Sequence, residues 1–504
     1  MGKAVSDRYI VVVDAGSTRI RCYVFDSNGD VAAERSAPWS FVETGELSPY
    51  VRELNADPVW ESTARLIAEC ASDVKADAHR IAAITVTSQR QGVVFLDREG
   101  AVLYAGPNTD LRAVFEGAAI DEAMDERAFE VTGRLPSFLF TAAKLRWFKQ
   151  HRPNAYDRID RVATLADWLR WKLSGKLVSE PTLAAEAGLL DIRERRWCEE
   201  LFEELGVPTP IGVPIEKPGT AMGSVRREVG DDIGLPGDVP VVVSGADTQC
   251  GLLGLGVSRA GQVGTIAGWS VPLLMVTDTP VYDEGRRIWT GCHIDEGLWS
   301  LESTCGDAGN SYRWLADTMW AGETGPFEAM DSAASDIPAG SEGVMAFLGA
   351  SRMDMSKIGL QAGGFIFPAP LTFSDIGRGH LTRAALESIA FAVRSNLEQL
   401  ECVSGVSASK IAVGGGMIAT SSWVEMLPNV LGRPVEVASA PNVTAAGAYV
   451  TAMSALDGHE SLLDMAAERA STRTLEPSPV DSAEYDDYYQ RWKQMGDHLE
   501  AAGM

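Results

Sequence analysis

The feature that most limits the fold of this sequence is a short apolar segment that runs directly into a glycine turn. It occurs at YIVVVD before Gly16, at VGTIA before Gly268 and at IAV before Gly414. Continuous apolar runs of this length are typical of strands that are buried on both faces of a sheet. In the first two cases a second strand follows the turn. The repeated strand–turn–strand unit therefore predicts an α/β protein with a duplicated architecture.

The length of the chain indicates more than one hydrophobic core. A domain usually holds about 100–150 residues, whereas this chain has 504. Its 45% hydrophobic and 23% charged residues are typical of a globular protein, which excludes a disordered, collagenous or coiled-coil chain. Because no low-complexity linker interrupts the sequence, we expect two domains, 1–250 and 251–504, joined by a compact hinge.

Charge and cysteine content limit the partners and the compartment. The chain has 44 basic and 70 acidic residues, a net charge of −26, which repels nucleic-acid phosphates and anionic lipid. No stretch approaches the ~20 apolar residues that span a bilayer. The seven cysteines are scattered without a C-x-x-C pair, which favours free thiols in a reducing compartment. We therefore expect a cytoplasmic protein with neither nucleic-acid nor membrane partners.

The glycine turns are candidates for phosphate binding. Glycine lets the backbone approach a ligand closely, and successive N–H groups of a turn form a concave anion site. None of the three turns matches the Walker pattern or the dinucleotide-binding pattern. A single turn of this kind is more often a simple tight hairpin. Three of them in order favour a different phosphate-binding arrangement.

The turns and the segments around them resemble the FGGY family of carbohydrate kinases, which are relatives of actin and hexokinase. DAGSTRIRCYVFD is similar to the family's first phosphate hairpin, SQRQGVVFLDREG and NTDLRA to its sugar-contact segments, and GADTQCGLLGLG to its catalytic segment. The segments ADWLRWKLSGKL, AGNSYRWL, VGGGMIATSSWVEM and TAAGAY also match, in the family's order, over roughly residues 9–455.

The resemblance implies a fold and a reaction. The fold would be two ribonuclease-H/actin-like domains with an interdomain cleft, with the sugar mainly on the N-terminal domain and ATP mainly on the C-terminal one. The reaction would transfer the γ-phosphoryl group of ATP, with Mg²⁺, to a hydroxyl of a small open-chain sugar, ketose or polyol. The sugar-contact segments look most similar to those of autoinducer-2 kinases and then xylulose kinases. The family also allows a homodimer, although the sequence itself does not indicate an oligomeric state.

The resemblance further implies which residues form the site. Asp247 would be the general base that accepts the proton of the attacking hydroxyl, and Asp14 would hold Mg²⁺ through water. The residues implied to bind the acceptor are Arg90, Gln91, Asp110, Asp247 and Gln249. Those implied to bind ATP are Gly16, Ser17, Thr18, Arg21, Gly268, Ser270, Gly309, Arg313, Gly415, Gly416 and Thr420.

Several of these residues have a simpler alternative role. Asp247 could cap a helix over Thr248–Leu255, and Asp14 could stabilise its own hairpin as an Asx turn. Arg90 could be a solvated loop residue, and Asp110 could cap a helix. At the level of the whole protein, a non-catalytic sugar or nucleotide sensor on the same fold stays open as an alternative function.

The second phosphate turn departs from the family pattern. The family usually has Gly-Thr-Ser/Thr-Gly here, but this chain has Gly268-Trp269-Ser270-Val271, so an indole replaces a hydroxyl. Either the N–H groups around Gly268 and Ser270 meet the phosphate, or Gly264-Thr265 fills this position. We expect Trp269 to pack towards the cleft wall and to shape the acceptor pocket. The alternative is that its ring fills a core gap between the domains.

Overall fold

The computed structural model describes residues 8–42, 50–74, 80–207, 211–357, 362–369, 375–458 and 461–501. Within these residues the chain forms two α/β domains, each built on one mixed sheet. The strands of the first domain, in chain order, are β1 (Tyr9–Ala15), β2 (Arg19–Phe25), β3 (Val31–Pro38), β4 (Phe41–Val42), β5 (Glu53–Leu54), β6 (Ile81–Ser88), β7 (Val93–Leu96), β8 (Val102–Gly106), β9 (Arg161–Thr164), β10 (Leu190–Asp191), β11 (Arg196–Trp197), β12 (Ala221–Ser224) and β13 (Pro240–Val243).

The main sheet of the first domain has the strand order β12-β13-β6-β1-β2-β3. The strands β1, β2 and β3 are antiparallel neighbours, whereas β6 and β13 run parallel to β1. The smaller sheets of this domain pair β8-β7-β9, β4-β5 and β10-β11.

The second domain repeats this arrangement. Its strands are β14 (Val263–Ile266), β15 (Pro272–Thr277), β16 (Trp289–Cys292), β17 (Trp299–Thr304), β18 (Met345–Phe347), β19 (Gly364–Ile366), β20 (Ile411–Gly414), β21 (Val435–Ala438) and β22 (Thr472–Leu475). The main sheet has the order β16-β17-β15-β14-β20-β21-β22, and β18 pairs with β19 apart from it. Here β14, β15 and β17 are antiparallel neighbours, and β20 and β21 run parallel to β14. The predicted α/β class and the duplicated unit are therefore confirmed.

Helices cover the sheets and fill the connections. They are α1 (Ala56–Asp73), α2 (Val114–Thr132), α3 (Thr141–His151), α4 (Pro153–Tyr156), α5 (Leu165–Ser174), α6 (Pro181–Ala184), α7 (Glu199–Glu204), α8 (Arg227–Ile233), α9 (Asp247–Gly254), α10 (Ala308–Met319), α11 (Pro326–Ser335), α12 (Arg378–Ser404), α13 (Ser421–Leu431), α14 (Val443–Asp457), α15 (Leu462–Arg469) and α16 (Pro479–Ala501). In the part of the chain that the structure describes, no helix combines the length and the apolar character that a membrane-crossing segment requires.

Strand β1 is apolar from Ile10 to Val13 because helices pack on both of its faces. Val11 and Val13 belong to a core that also contains Ile67 of α1. Ile10 and Val12 point to the opposite face, where they share a core with Leu253 of α9 and with residues of α14. Since α14 lies between β21 and β22 of the second sheet in sequence and packs on β1 and β6 of the first sheet, it joins the two domains.

Helices α9 and α14 cross at very short distance, and glycine makes this approach sterically possible. A Cβ atom at Gly447 of α14 would lie 1.7 Å from the carbonyl oxygen of Cys250 in α9. A Cβ atom at Gly254 of α9 would lie 2.0 Å from the carbonyl oxygen of Val443 in α14. Any side chain at either position would force the helices apart. The first residue of α9 is Asp247, so this crossing also fixes where the predicted base lies.

We expect Gly447→Ala to destabilise the protein, since the methyl group would overlap the backbone of α9. Overpacking of this kind costs about 1–3 kcal/mol, or roughly 1–2 °C in Tm for each kcal/mol in a chain of this length. Gly496→Ala is the matched control, because Gly496 also lies inside a helix but its Cβ would meet only Phe347 at 3.6 Å. Alanine there should raise Tm slightly through its better helix propensity. Equal changes in Tm for the two variants, measured by thermal unfolding, would contradict the crossing.

Candidate active site

The predicted catalytic residues lie together at one edge of the first sheet. In the parallel register Asp14 of β1 lies opposite Thr87 of β6, and Val243 of β13 lies opposite Val86. The carboxyl ends of these strands therefore meet, and the segments that follow them converge. Binding sites of open α/β sheets occur at such edges. Asp14 lies near the carboxyl end of β1, and Asp247 follows the carboxyl end of β13 after a loop of three residues.

The first glycine turn, Gly16-Ser17-Thr18, is held in place by hydrogen bonds from neighbouring side chains. Its Gly16 carbonyl accepts hydrogen bonds from the indole of Trp39 at 2.8 Å and from the amide of Gln89 at 3.2 Å. The hydroxyl of Ser17 accepts from the amide of Asn108 at 2.9 Å, whereas Thr18 is exposed. The sequence did not single out Gln89, although it lies inside the SQRQ segment. The turn is thus fixed while its outer side stays accessible.

Asp14 and Arg21 form a pair beneath this turn. They lie opposite each other in the β1–β2 hairpin, and the Arg21 guanidinium donates to Asp14 at 3.3 Å. Asp14 itself is buried. Burial raises the pKa of its carboxyl, and the charge of Arg21 opposes that shift. A carboxylate so placed faces the cleft with its negative charge only partly balanced.

The second and third turns pack against each other at the matching edge of the second sheet. Ile266 lies opposite Gly414, and the Ala267 amide donates to the Gly414 carbonyl at 2.8 Å. Gly415 has a φ of 91°, and a Cβ atom there would lie 2.6 Å from the Ala267 carbonyl oxygen, so glycine is required. A Cβ atom at Gly268 would meet nothing within 4 Å. This turn therefore borders open space.

The turn at Gly268–Ser270 is the one that can meet a phosphate group. Its Gly268 amide donates to the Ser270 carbonyl at 3.0 Å, so contacts with a ligand fall to the amides that follow. The alternative, Gly264-Thr265, lies inside β14 with Thr265 fully buried, and is therefore wrong. Trp269 is 39% exposed, which also contradicts the alternative that its ring fills a core gap. Its contact with the acceptor stays a prediction.

Helix α10 and the start of α13 complete this wall of the cleft. A Cβ atom at Gly309, in the first turn of α10, would lie 1.8 Å from the Gly268 carbonyl oxygen, so the helix abuts the second turn. Arg313 lies one turn farther along the same helix. Thr420 is the N-cap residue of α13 and follows the turn that contains Gly416. Gly309 therefore packs against the second turn, and Thr420, which follows the third turn, is itself buried. A shared nucleotide surface for these residues and Arg313 stays a prediction.

Asp247 occupies the first position of α9, with Ala246 as the N-cap residue. Its Oδ1 accepts from the Thr248 amide at 2.7 Å and from the Thr248 hydroxyl at 3.2 Å. The carboxylate therefore binds the first turn of the helix without capping it in the usual way. Burial raises the pKa of Asp247 to about 7, opposed by the positive charge of Arg90 and reinforced by the negative charge of Asp14. A base with this pKa is suited to proton transfer at neutral pH.

Arg90 is not the solvated loop residue that one alternative described. Its guanidinium binds Glu302 of β17 through both terminal nitrogens, with Nη2 and Oε1 at 2.7 Å. The two side chains are 11% and 2% exposed, and they come from different domains. Gln91, with a φ of 58°, donates its amide to Glu186. The predicted acceptor residues are therefore joined to two carboxylates.

Sequence reasoning missed four members of this cluster: Glu186, Glu302, Arg134 and Trp289. Arg134 lies 2.7 Å from Glu186, and the two guanidiniums of Arg90 and Arg134 lie 6.0 and 5.5 Å from the Trp289 ring. Glu302 is 212 residues from Arg90 in the sequence. Glu302 reaches Arg90 through the packing of the two domains, whereas Glu186 and Arg134 join the cluster through long-range packing within the first domain. No local spacing could signal either kind of contact.

Asp110 and Gln249, the remaining residues predicted to bind the acceptor, differ in their hydrogen bonding. Asp110 is fully buried and accepts from Tyr104, from Arg112 at 2.6 Å and from the Arg52 amide at 3.0 Å. These donors engage both oxygens, which gives Asp110 a structural role in the network of Tyr104, Arg112 and Arg52. Its direct contact with a sugar stays a prediction. Gln249 is also fully buried, but neither polar atom of its amide has a partner among the described residues.

Comparison with known proteins covers almost the whole chain. Residues 9–254 match the N-terminal domain of the FGGY family of carbohydrate kinases, and residues 264–456 match its C-terminal domain. Autoinducer-2 kinase of Enterobacter sp. (strain 638) is 30% identical over 501 residues, which cover 96% of this chain and 93% of that protein. The corresponding protein of Salmonella paratyphi A is 27% identical over 97% of this chain and 94% of its own length.

Solved structures agree with this result. The xylulose kinase of Rhodospirillum rubrum has a TM-score of 0.85 and 25% identity, and the match covers 98% of this chain and 99% of that one. Plasmodium falciparum glycerol kinase with ADP has a TM-score of 0.84 over 99% of each chain, but at 19% identity it supports the fold alone. The predicted actin-like fold is confirmed, and the chain belongs to the FGGY family of carbohydrate kinases, phosphotransferases with an alcohol group as acceptor.

Proposed function

We propose that the protein transfers the γ-phosphoryl group of ATP to a hydroxyl of a small open-chain sugar, ketose or polyol. The observation that carries this proposal is the position of Asp247. Its carboxylate, with a pKa of about 7, stands at the start of α9, where Arg90 and Asp14 beside the first glycine turn are both close enough to shift that pKa. A nucleotide bound on one side and a hydroxyl compound on the other would therefore meet at a base.

In the proposed step the protein only positions the two substrates and accepts one proton. The acceptor oxygen attacks the γ-phosphorus as the bond to the leaving ADP oxygen breaks, and the hydroxyl proton passes to Asp247. Thr248 engages Oδ1 of this carboxylate, so Oδ2 is the oxygen that we assign to the proton. Amide groups of the glycine turns would stabilise the charge on the transferring group, which is the largest contribution in reactions of this kind.

We assign the phosphates of ATP to the three glycine turns and the nucleoside to the second domain. Gly16, Ser17, Thr18 and Arg21 would face the phosphates from the first domain. Gly268 and Ser270 would meet them through the later amides of their turn. The nucleoside would lie on the surface that Gly309, Arg313, Gly415, Gly416 and Thr420 form. The open space beside Gly268 and Gly416 supports this assignment, because a Cβ atom at either would meet nothing within 4 Å.

The residues of the cleft fit a Mg²⁺ ion that arrives with the nucleotide. Among the described residues no group of three or more His, Cys, Asp or Glu side chains could hold a metal alone. Mg²⁺ does not need such a group, since it is usually bound by one or two carboxylates together with phosphate oxygens and water. The negative charge of Asp14 raises the pKa of Asp247, so a cation near Asp14 would relieve this repulsion. Asp14 is therefore our candidate ligand, through water.

The acceptor that suits the Arg90 cluster is a neutral polyhydroxy compound. Arg90 and Arg134 are already paired with Glu302 and Glu186, so the cluster offers no free cation to an acidic sugar. Carboxylates and guanidiniums in this arrangement can accept from and donate to neighbouring hydroxyls. Gln249 adds an amide without a partner. The names of the relatives, autoinducer-2 kinase and xylulose kinase, favour these two compounds as the first acceptors to try.

The domain boundary, the compartment and the oligomeric state remain proposals as well. A boundary near residue 250 would fall between β13 of the first sheet and β14 of the second. All seven cysteines are free thiols, which supports a reducing cytoplasm. A homodimer would be consistent with family membership.

Acceptor-dependent ADP release tests the proposed function. We expect ATP turnover to depend on one or a few neutral acceptors in a panel of C3–C7 polyols, ketoses and aldoses, measured by a coupled assay. Gluconate serves as the acidic control, and its rate should stay near that of the reaction without acceptor. Ligands that raise Tm without any phosphorylated product would contradict the proposal and favour a sensor.

Asp247→Asn tests the assignment of the base. Asparagine keeps the shape of the side chain but cannot accept the proton, so kcat should fall by about 10²-fold or more while the KM for ATP changes little. Asp97→Asn is a suitable control, because Asp97 is also a buried carboxylate but binds Arg158 away from the cleft. A kcat within a few-fold of the wild type for Asp247→Asn would rule out this role.

A further inference from the structure

The loop Ser244–Ala246, which leads from β13 to the predicted base, is held by side chains that the proposed reaction does not use. Ser244 and Ala246 are fully buried. Buried backbone groups need hydrogen-bond partners, and here a different side chain binds the backbone of each of the three consecutive residues. The partners come from three different elements of the first domain, namely β6, α5 and α6.

Arg170 of α5 binds the first residue of the loop. Its Nη1 donates to the Ser244 carbonyl at 3.0 Å, and its Nη2 donates to Asp167 at 2.6 Å. Neither of these charged side chains has any exposed surface. Asp167 in turn accepts from the Thr164 amide at the start of α5 at 2.9 Å. The ADWLRW motif therefore supplies a rigid arm that reaches from the helix to the loop.

The second residue, Gly245, is bound from β6. The Thr87 hydroxyl donates to the Gly245 carbonyl at 2.8 Å. Thr87 is fully buried and lies opposite Asp14 in the sheet register. The same strand position thus connects the loop of the base with the strand that carries Asp14.

The third residue, Ala246, is bound by a two-step relay from α6. Its amide donates to the Thr182 hydroxyl at 2.9 Å, and that hydroxyl donates to the Glu180 carboxylate at 2.6 Å. Glu180 also accepts from the Thr182 and Leu183 amides at 2.8 and 2.7 Å. Because the Thr182 hydroxyl donates its hydrogen bond to Glu180, a lone pair of its oxygen is directed at the amide of Ala246, the residue before Asp247.

We propose that Arg170, Thr87 and Thr182 are positioning residues that fix the Ser244–Ala246 loop and thereby aim Asp247 at the attacking hydroxyl. This inference rests on the proposed role of Asp247 as the base. Three tethers on three successive residues leave the loop little freedom to move along or across the cleft. A displacement of about 1 Å at a reacting group can cost ~10²-fold in rate, so loss of one tether should affect catalysis more than binding.

Thr182→Val is the most specific test, because valine keeps the shape of threonine but neither accepts from Ala246 nor donates to Glu180. We expect kcat to fall by about 10-fold to 10²-fold, with the KM values for ATP and for the acceptor found in the panel within about twofold of the wild type. Thr182→Ser, which restores the hydroxyl, should recover kcat to within a few-fold. Thr63→Val is the control: Thr63 is equally buried and donates to Val59 at 2.7 Å, but it lies in α1 away from the cleft.

A second measurement separates positioning from a general loss of stability. If Thr182 acts through the base, Thr182→Val should change kcat by no more than about twofold when Asp247 is already Asn, because coupled residues are not additive. Multiplicative effects would overturn the inference, and so would a kcat for Thr182→Val equal to that of Thr63→Val. Should Thr182→Val fail to fold, Thr87→Val is judged by the same criteria. An unchanged kcat for Asp247→Asn alone would instead reject the proposed base.

Discussion

The close crossing of α9 and α14 is the constraint on which the rest of the structure depends. Helix α14 belongs to the second half of the chain, yet it packs on the first sheet and on α9. The crossing is possible because Gly447 and Gly254 carry no side chain where the helix backbones meet. Since α9 begins at Asp247, the contact that joins the domains also sets the position of the proposed base. The site is therefore complete only when the two domains are packed together.

Charge in the cleft follows from the same arrangement. The acidic groups Asp14, Asp247, Glu186 and Glu302 come from separate elements of both domains, whereas the arginines that balance them all come from the first domain. Burial makes each charge more costly to leave unpaired. Arg90 and Glu302 compensate each other across the domains, whereas the charges of Asp14 and Asp247 are only partly offset by Arg21 and Arg90. In the proposed arrangement the phosphate side would therefore favour a cation, and the acceptor side would be close to neutral.

The sequence predicts the fold far better than it predicts the acceptor site. Apolar strands followed by glycine turns are local patterns, and they correctly indicated the duplicated α/β architecture and the turns at Gly16, Gly268 and Gly415. Glu302 and Glu186 left no local signal, because Glu302 reaches Arg90 through the packing of the two domains and Glu186 reaches Gln91 from 95 residues farther along the first domain.

Two expectations show the limits of motif reasoning for single side chains. The N-x-D-x-R pattern suggested a sugar contact for Asp110, but Arg112 and Tyr104 of the same region engage its carboxylate. The Gly264-Thr265 pair offered an alternative position for the hydroxyl that the second turn lacks, but Thr265 is fully buried inside β14. In both cases the neighbours of the side chain in space, which a sequence motif does not contain, decide what the side chain can contact.

The central claim is that groups from both domains bind ATP and the acceptor and that the two substrates meet at Asp247. Calorimetry of a non-hydrolysable ATP analogue, with and without the acceptor, tests this claim directly. If the Arg90–Glu302 contact lets an acceptor bring the domains together, the two ligands should bind cooperatively, by about 1–3 kcal/mol or roughly 5-fold to 150-fold in Kd. The gain should be smaller in Glu302→Gln. The same Kd for the analogue in the presence and absence of the acceptor would contradict the account.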